Sequence, residues 1–222
     1  AITAETRAYY LDSDGHASTP FASGTLSAKL PTQGKPDEYV YDPRDTCSAA
    51  MESALPPKGF TDQWSVLGGA TPQLIYHSAA FERDTPISGF FRLSTWLAID
   101  QPDTDFEVSV YEIGANGEST LLSNDLMRAR HREGLRTTRL VQTRQPLHYD
   151  FTRFTFVARQ VRKGSRLRLT VAAINSMSMQ KNYNAGGIVA EESMKDARAV
   201  TVRLFHDPDR PSVLYVPIGR GA

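Results

Sequence analysis

Two short acidic runs are the first places in this chain where residue type and spacing could do chemistry. Asp12-Ser13-Asp14-Gly15 and Asp103-Thr104-Asp105 each set two carboxylates one residue apart, a pattern that suits calcium ligation or a carboxylate pair working as acid and base. An EF-hand loop opening at Asp12 would need a glutamate at its twelfth position, which is Ser23, so that reading fails and a turn is the simpler one. The second run precedes Leu126-Met127-Arg128-Ala129-Arg130-His131-Arg132. Guanidinium forks match carboxylates in bidentate pairs. Asp103 or Asp105 is therefore expected in a partly buried ion pair with Arg128, Arg130 or Arg166, holding strand register instead of catalysing a reaction.

Nucleophile patterns are no stronger. An α/β-hydrolase elbow needs Gly-x-Ser-x-Gly, because small neighbours permit the strained turn that exposes the serine. The nearest approach, Gly117-Glu118-Ser119-Thr120-Leu121, ends in leucine and falls in an expected hairpin turn. His16, His77, His131, His148 and His206 are scattered, without the i, i+4 or cysteine-flanked spacing of zinc sites. Each reads as a surface or locally hydrogen-bonded residue. Cys47, the one cysteine, reads as an inert packing residue beside Asp42-Pro43-Arg44-Asp45. Neither a metal nor another cofactor is expected.

The elements that would position these residues are mostly strands. Phe91, Leu93, Leu97 and Ile99 share one parity, and Phe106, Val108 and Val110 alternate with Glu107 and Ser109, as half-buried strands require. Asn116-Gly117 suits a hairpin into Thr120-Leu121-Leu122. Phe154 and Phe156, then Leu167, Leu169 and Val171, predict two core strands joined across Lys163-Gly164. Val200, Val202 and Leu204 repeat the pattern, and 213–216 supplies a closing strand. Residues 8–11 read as a strand, and most of the irregular chain falls in 20–69. Short helices are expected at 121–128 and 190–197. With 13 prolines and 15 glycines punctuating the chain, repeated short strands argue for a sandwich or barrel.

Composition agrees with a folded, single domain. The 222 residues are 40% hydrophobic and 23% charged, enough for a sizeable core, and all-β domains of this size are common. Basic and acidic residues number 25 each, so nothing drives the chain toward nucleic acid, and the arginine-rich stretch 128–144 has no interleaved aromatics for base stacking. No run approaches the ~20 apolar residues of a membrane span. With a single cysteine no intrachain disulfide can form, which fits a reducing, cytoplasmic compartment, although a removed signal peptide would leave no trace. The start at Ala1, without methionine, reads as a piece of a longer protein.

Taken in order, Tyr41-Asp42-Pro43-Arg44-Asp45, Asp103-Thr104-Asp105-Phe106, Leu126-Met127-Arg128-Ala129-Arg130, Lys163-Gly164-Ser165-Arg166-Leu167-Arg168-Leu169, Asn182-Tyr183-Asn184-Ala185-Gly186 and Phe205-His206-Asp207-Pro208 resemble the C-terminal domain of the X-Pro dipeptidyl-peptidase and cocaine esterase family of serine hydrolases. Thr46 and Ser165 depart from its usual residues. The resemblance spans residues 9–217 and implies one domain over 1–222, an all-β jelly-roll β-sandwich similar to galactose-binding-like domains. It also implies a catalytic α/β-hydrolase domain of the same polypeptide upstream of Ala1, carrying the catalytic serine, aspartate and histidine. No catalytic residue carries over to this sequence. The resemblance makes Asp103, Asp105, Phe106, Arg128, Arg130, Gly164, Arg166, Asn182, Asn184, Asp207 and Pro208 structural motif residues. It implies a non-catalytic accessory domain that packs on the catalytic domain and helps shape its pocket or a homo-oligomer. The alternatives are an independent carbohydrate-binding module, with Trp64 as the stacking platform and Trp96 in the core, and a free-standing assembly domain.

Overall fold

The computed structural model describes residues 3–19, 21–47 and 72–220. Thirteen strands make up the regular structure there: β1 (Thr3–Asp12), β2 (Gly24–Ser27), β3 (Asp37–Tyr41), β4 (Gln73–Ser78), β5 (Thr85–Gly89), β6 (Arg92–Ile99), β7 (Asp105–Ile113), β8 (Ser119–Arg128), β9 (Leu147–Phe151), β10 (Val157–Val161), β11 (Arg166–Ala173), β12 (Val200–Phe205) and β13 (Val213–Gly219). A short 3-10 turn at Ala129–His131 follows β8. No helix among the described residues is long and apolar enough to cross a membrane.

The strands hydrogen-bond in the order β3-β12-β6-β13-β1-β2-β4-β11-β7-β8, with β9 added on β6 and the β5–β10 pair attached through β13. All neighbours are antiparallel except β2 and β4. This single network folds over its own apolar face. Phe106 of β7 meets Tyr149 of β9 edge-on, with ring centroids 5.4 Å apart, although their strands lie far apart along the hydrogen-bonded path. Leu93 and Leu97 of β6, Val202 and Leu204 of β12, Val108 and Val110 of β7 and Leu167 and Leu169 of β11 share one buried cluster. The architecture is therefore an all-β sandwich whose two inner faces supply alternate residues of each strand. Each such side chain contributes roughly 1.5–3 kcal/mol by leaving water.

Three local expectations need correction. Residues 121–128 are strand β8, not helix: they pair with β7 from Asp105↔Arg128 to Ile113↔Ser119, with one extra residue accommodated at Val110/Tyr111. Ladder pairing and burial of Ser123, Asp125 and Met127 outweigh the helical preference of leucine and methionine. Residues 190–197 form successive turns, because Asp196 captures both the amide and the hydroxyl of Ser193, a local alternative to helix. Phe154 and Phe156 precede β10, and β10 pairs with β5 while β11 pairs with β4 and β7. Lys163-Gly164 thus turns the chain from one sheet region to another, and Gly164 adopts φ +85°, which glycine tolerates without strain.

Candidate functional site

The acidic run at the start of β7 is a closed polar knot. Asp105 lies opposite Arg128 in the β7–β8 ladder, so their side chains share a face. The carboxylate accepts from Arg128 Nε at 2.8 Å and Nη2 at 2.9 Å, and this pairing raises the Arg128 pKa. Asp103 accepts from Arg130 Nε at 2.8 Å and from the Arg130 backbone amide at 2.9 Å. Asn182 bridges the two acids, its amide nitrogen donating to Asp103 Oδ2 and Asp105 Oδ1, each at 2.9 Å.

The knot also ties down the long loop that follows β11. Asn182 Oδ1 accepts from the Asn184 amide, Asn184 donates to the Arg198 carbonyl, and Arg130 Nη1 donates to the Gly187 carbonyl at 2.8 Å. Asn184 has φ +63°, a left-handed conformation for which asparagine is among the few suitable residues. Asp103 is fully buried and its carboxylate accepts three hydrogen bonds from within the domain, so it has no route to a substrate proton for general base work.

The remaining motif residues stand elsewhere. Phe106 is in the core. Arg166 lies at the opposite end of β11, in register with Ile113, and takes no part in the knot. Asp207 caps a turn through the amides of Asp209 and Arg210 and pairs with the Arg210 guanidinium at 2.9 Å, with Pro208 inside that turn. Trp64 falls outside the described residues. Trp96 is on the outer face of β6, half-buried, with its ring edge-on to His148 at 5.3 Å. Its expected core position is incorrect because it shares parity with Arg92 and Ser94, not with Leu93 and Leu97. Cys47 is exposed, which corrects its expected packing role.

A second buried cluster was not anticipated from sequence. Asp37, wholly buried at the start of β3, accepts from Ser13 Oγ at 2.7 Å, Tyr76 Oη at 2.6 Å and the Ala17 amide at 2.8 Å, and sits 3.1 Å from His206 Nε2. Ser13 Oγ is 3.2 Å from the same imidazole nitrogen. Burial pushes the Asp37 carboxyl up, but the hydrogen bonds from His206, Tyr76, Ala17 and Ser13 outweigh it and hold the group below the ordinary carboxylate range. Burial, with the Asp37 charge behind it, pushes the Tyr76 phenol well up.

Serine, histidine and aspartate in contact suggest a catalytic triad, and the geometry excludes one. A triad places the acid on one imidazole nitrogen and the nucleophile on the other, whereas here Asp37 and Ser13 converge on Nε2. On the other side of the ring Asp12 Oδ1 stands 4.0 Å from Nδ1, beyond hydrogen-bond distance and so unable to orient the imidazole as a triad acid does, and Gly34 packs so close that an added Cβ would lie 2.6 Å from Nδ1. The cluster joins β3 and β4 to the segments after β1 and β12. Asp37 shares parity with Tyr39 and Tyr41 in an alternating run, the one sequence signal that this aspartate faces inward. Among the described residues no group of three or more histidine, cysteine, aspartate or glutamate side chains could hold a metal ion.

Residues 2–214 match the family model described as the X-Pro dipeptidyl-peptidase C-terminal non-catalytic domain. Cocaine esterase of Rhodococcus sp. (strain MB1 Bresler) is 24% identical over 213 residues, covering 95% of this chain and 37% of the esterase. Among solved structures, an aminopeptidase from a marine sediment Thaumarchaeota archaeon superposes with a TM-score of 0.79 at 16% identity, over 97% of this chain and 37% of that one. An α-amino acid ester hydrolase superposes with a TM-score of 0.73 at 18% identity, over 96% and 36% of the respective chains. These structural likenesses establish the fold. The chain spans little more than a third of the length of these relatives.

Proposed function

Because this chain belongs to the X-Pro dipeptidyl-peptidase C-terminal non-catalytic domain family, we propose that it serves as the accessory β-sandwich of a larger serine hydrolase acting on acyl or peptidyl substrates. Its partner is the α/β-hydrolase domain of the same polypeptide, which carries the nucleophile and base. The sandwich packs on that domain and helps shape its pocket or its oligomer.

The observation that carries this reading is that the carboxylates of both clusters, Asp103, Asp105 and Asp37, are buried and engaged by donors from within the domain. Asp103 and Asp105 are occupied by Arg130, Arg128 and Asn182, and Ser13 is bound to the Asp37 carboxylate. What these clusters do is join distant strands and loops into a rigid body, which suits a domain that must present a fixed surface to a neighbour. The motif residues Asp103, Asp105, Arg128, Arg130, Asn182 and Asn184 act in this way as positioning groups for the loops 129–145 and 174–199.

The test is an assay of the purified chain with activated esters and X-Pro anilides. Turnover at the level of buffer is expected, whereas saturable hydrolysis would overturn the proposal. Sequencing the coding region upstream of Ala1 supplies an independent check, with Gly-x-Ser-x-Gly followed by aspartate and histidine as the expected finding.

A further inference from the structure

The strongest unassigned feature is a basic groove at the far end of β7 and β11 from the Asp103 knot. Ile113 lies eight steps beyond Asp105 along β7, which at the rise of a β-strand is roughly 26 Å, so the two regions are independent. The groove has a volume of about 1380 Å³, and Arg166, Arg168, His77, Arg83 and Ser23 contribute to its lining.

The sheet register sets these groups in order. Arg168 of β11 stands opposite His77 of β4, and His77 stands opposite Thr25 of β2. Residues paired in this way project from the same face, and it is the outer one, since Leu167, Leu169 and Tyr76 occupy the core. Arg166, two residues before Arg168, projects from that face as well. Arg168 is only 4% exposed, so its guanidinium is set into the groove floor, while Arg166 is exposed above it. No hydrogen bond or ion pair engages the side chain of Arg166 or Arg83 among the described residues. Glu82 brings the opposing carboxylate to the rim, and Arg7 is engaged by Glu5 at 2.6 Å.

His77 fixes the polarity of the floor. Arg168 Nε lies 2.7 Å from His77 Nε2, and because a guanidinium can only donate, that nitrogen must accept. The ring proton is then on Nδ1, 2.8 Å from Ser23 Oγ, so the serine oxygen accepts and its own O–H is left to donate. Burial, followed by the charges of Arg168 and Arg166, lowers the His77 pKa to about 4, consistent with a neutral ring between two cationic neighbours. The groove therefore offers guanidinium and hydroxyl donors against a single rim carboxylate, the composition that recognises an oxyanion.

We infer that this groove binds a ligand bearing a phosphate-class oxyanion, with Arg166 and Arg83 gripping it from the rim and Ser23 donating from the floor, where Arg168 fixes the His77 tautomer that leaves the serine hydroxyl free to donate. The binding is separate from the accessory role proposed above and survives if that role is wrong.

Inorganic phosphate titrated into the isotope-labelled chain at constant ionic strength, with sodium chloride as the balancing salt, tests the inference by NMR. Saturable shifts are expected at the His77 ring and at the amides of Ser23, Gly164 and Arg166, with Arg128 and Arg130 unmoved. Arg166→Ala and Arg83→Ala, both exposed and so compatible with folding, should each weaken phosphate binding roughly tenfold or more. Acetate, presenting one charge, should bind more weakly. Shifts that fail to saturate, that chloride reproduces, that acetate matches, or that persist unchanged in both variants would each overturn the inference.

Discussion

Asp103 holds Arg130 twice, accepting from the guanidinium Nε at 2.8 Å and from the backbone amide of the same residue at 2.9 Å, with the carboxylate wholly buried. One acid thus fixes both the direction of a side chain and the path of the main chain where β8 ends. Asn182 then spreads the constraint to the loop after β11.

Arg130→Met should destabilise the fold by about 3–5 kcal/mol, because it leaves the Asp103 charge buried without its cation. Arg128→Met should cost less, since that guanidinium is partly solvated, with 23% of its side chain exposed against 11% for Arg130. Urea unfolding midpoints of the two variants check the order, and equal losses would contradict it.

Tyr76→Phe removes one donor to the Asp37 carboxylate and should cost about 1.5–3 kcal/mol, the usual range for a hydrogen bond to a charged group. The same cluster carries an acid dependence. Asp37 has a folded pKa below its unfolded value, so its contribution is complete above the ordinary aspartate pKa near 3.9 and is lost as pH falls through the folded value. Asp37→Asn should lower stability at neutral pH and flatten this acid limb, read as the urea midpoint against pH.

His77 gives a separate window. Its folded pKa of about 4 lies below the unfolded value near 6.5, so the unfolded chain takes up a proton first. Stability is unaffected above pH 6.5, declines between about 6.5 and 4, and stops changing on this account below 4. His77→Gln, which keeps an acceptor for Arg168, should remove that decline while leaving the Asp37 limb in place.

Gly186 has φ +84°, and a Cβ there would stand 2.8 Å from Pro102 Cγ. Gly186→Ala should therefore cost more than about 1 kcal/mol. Gly134→Ala, where φ is +141° and nothing lies within 4 Å, should also destabilise, through backbone strain alone. Thermal unfolding midpoints below that of the parent chain are expected for both, and an unchanged midpoint for either would contradict its account.

Much of this architecture is legible where pattern and partner lie close in the chain. The alternation of Phe106, Val108 and Val110, with Asn116-Gly117 after them, marks the β7–β8 hairpin, and the charge of Asp105 and Arg128 marks its register. The leucines of 121–126 mislead because helix propensity is local, whereas the ladder that overrides it is not. Phe156 and Leu167 look like members of neighbouring strands across a turn, yet Phe156 precedes β10, and β10 bonds to β5 while β11 bonds to β4 and β7, a choice made by the closing of the sandwich. The Asp37 cluster was hidden for the same reason. Ser13, Tyr76 and His206 reach it from segments 24, 39 and 169 residues away, and no short motif announces a contact assembled over such distances.

As a member of a non-catalytic domain family, this chain is expected to carry no catalytic centre of its own. The most direct measurement is the reaction of the purified chain with a serine-directed fluorophosphonate, followed by mass spectrometry alongside an activated-ester assay. The expected result is an unmodified mass and hydrolysis equal to buffer, since the Ser13 hydroxyl donates to the Asp37 carboxylate and both groups meet the same imidazole nitrogen of His206. Stoichiometric labelling of Ser13, with saturable turnover that Ser13→Ala abolishes, would contradict the account.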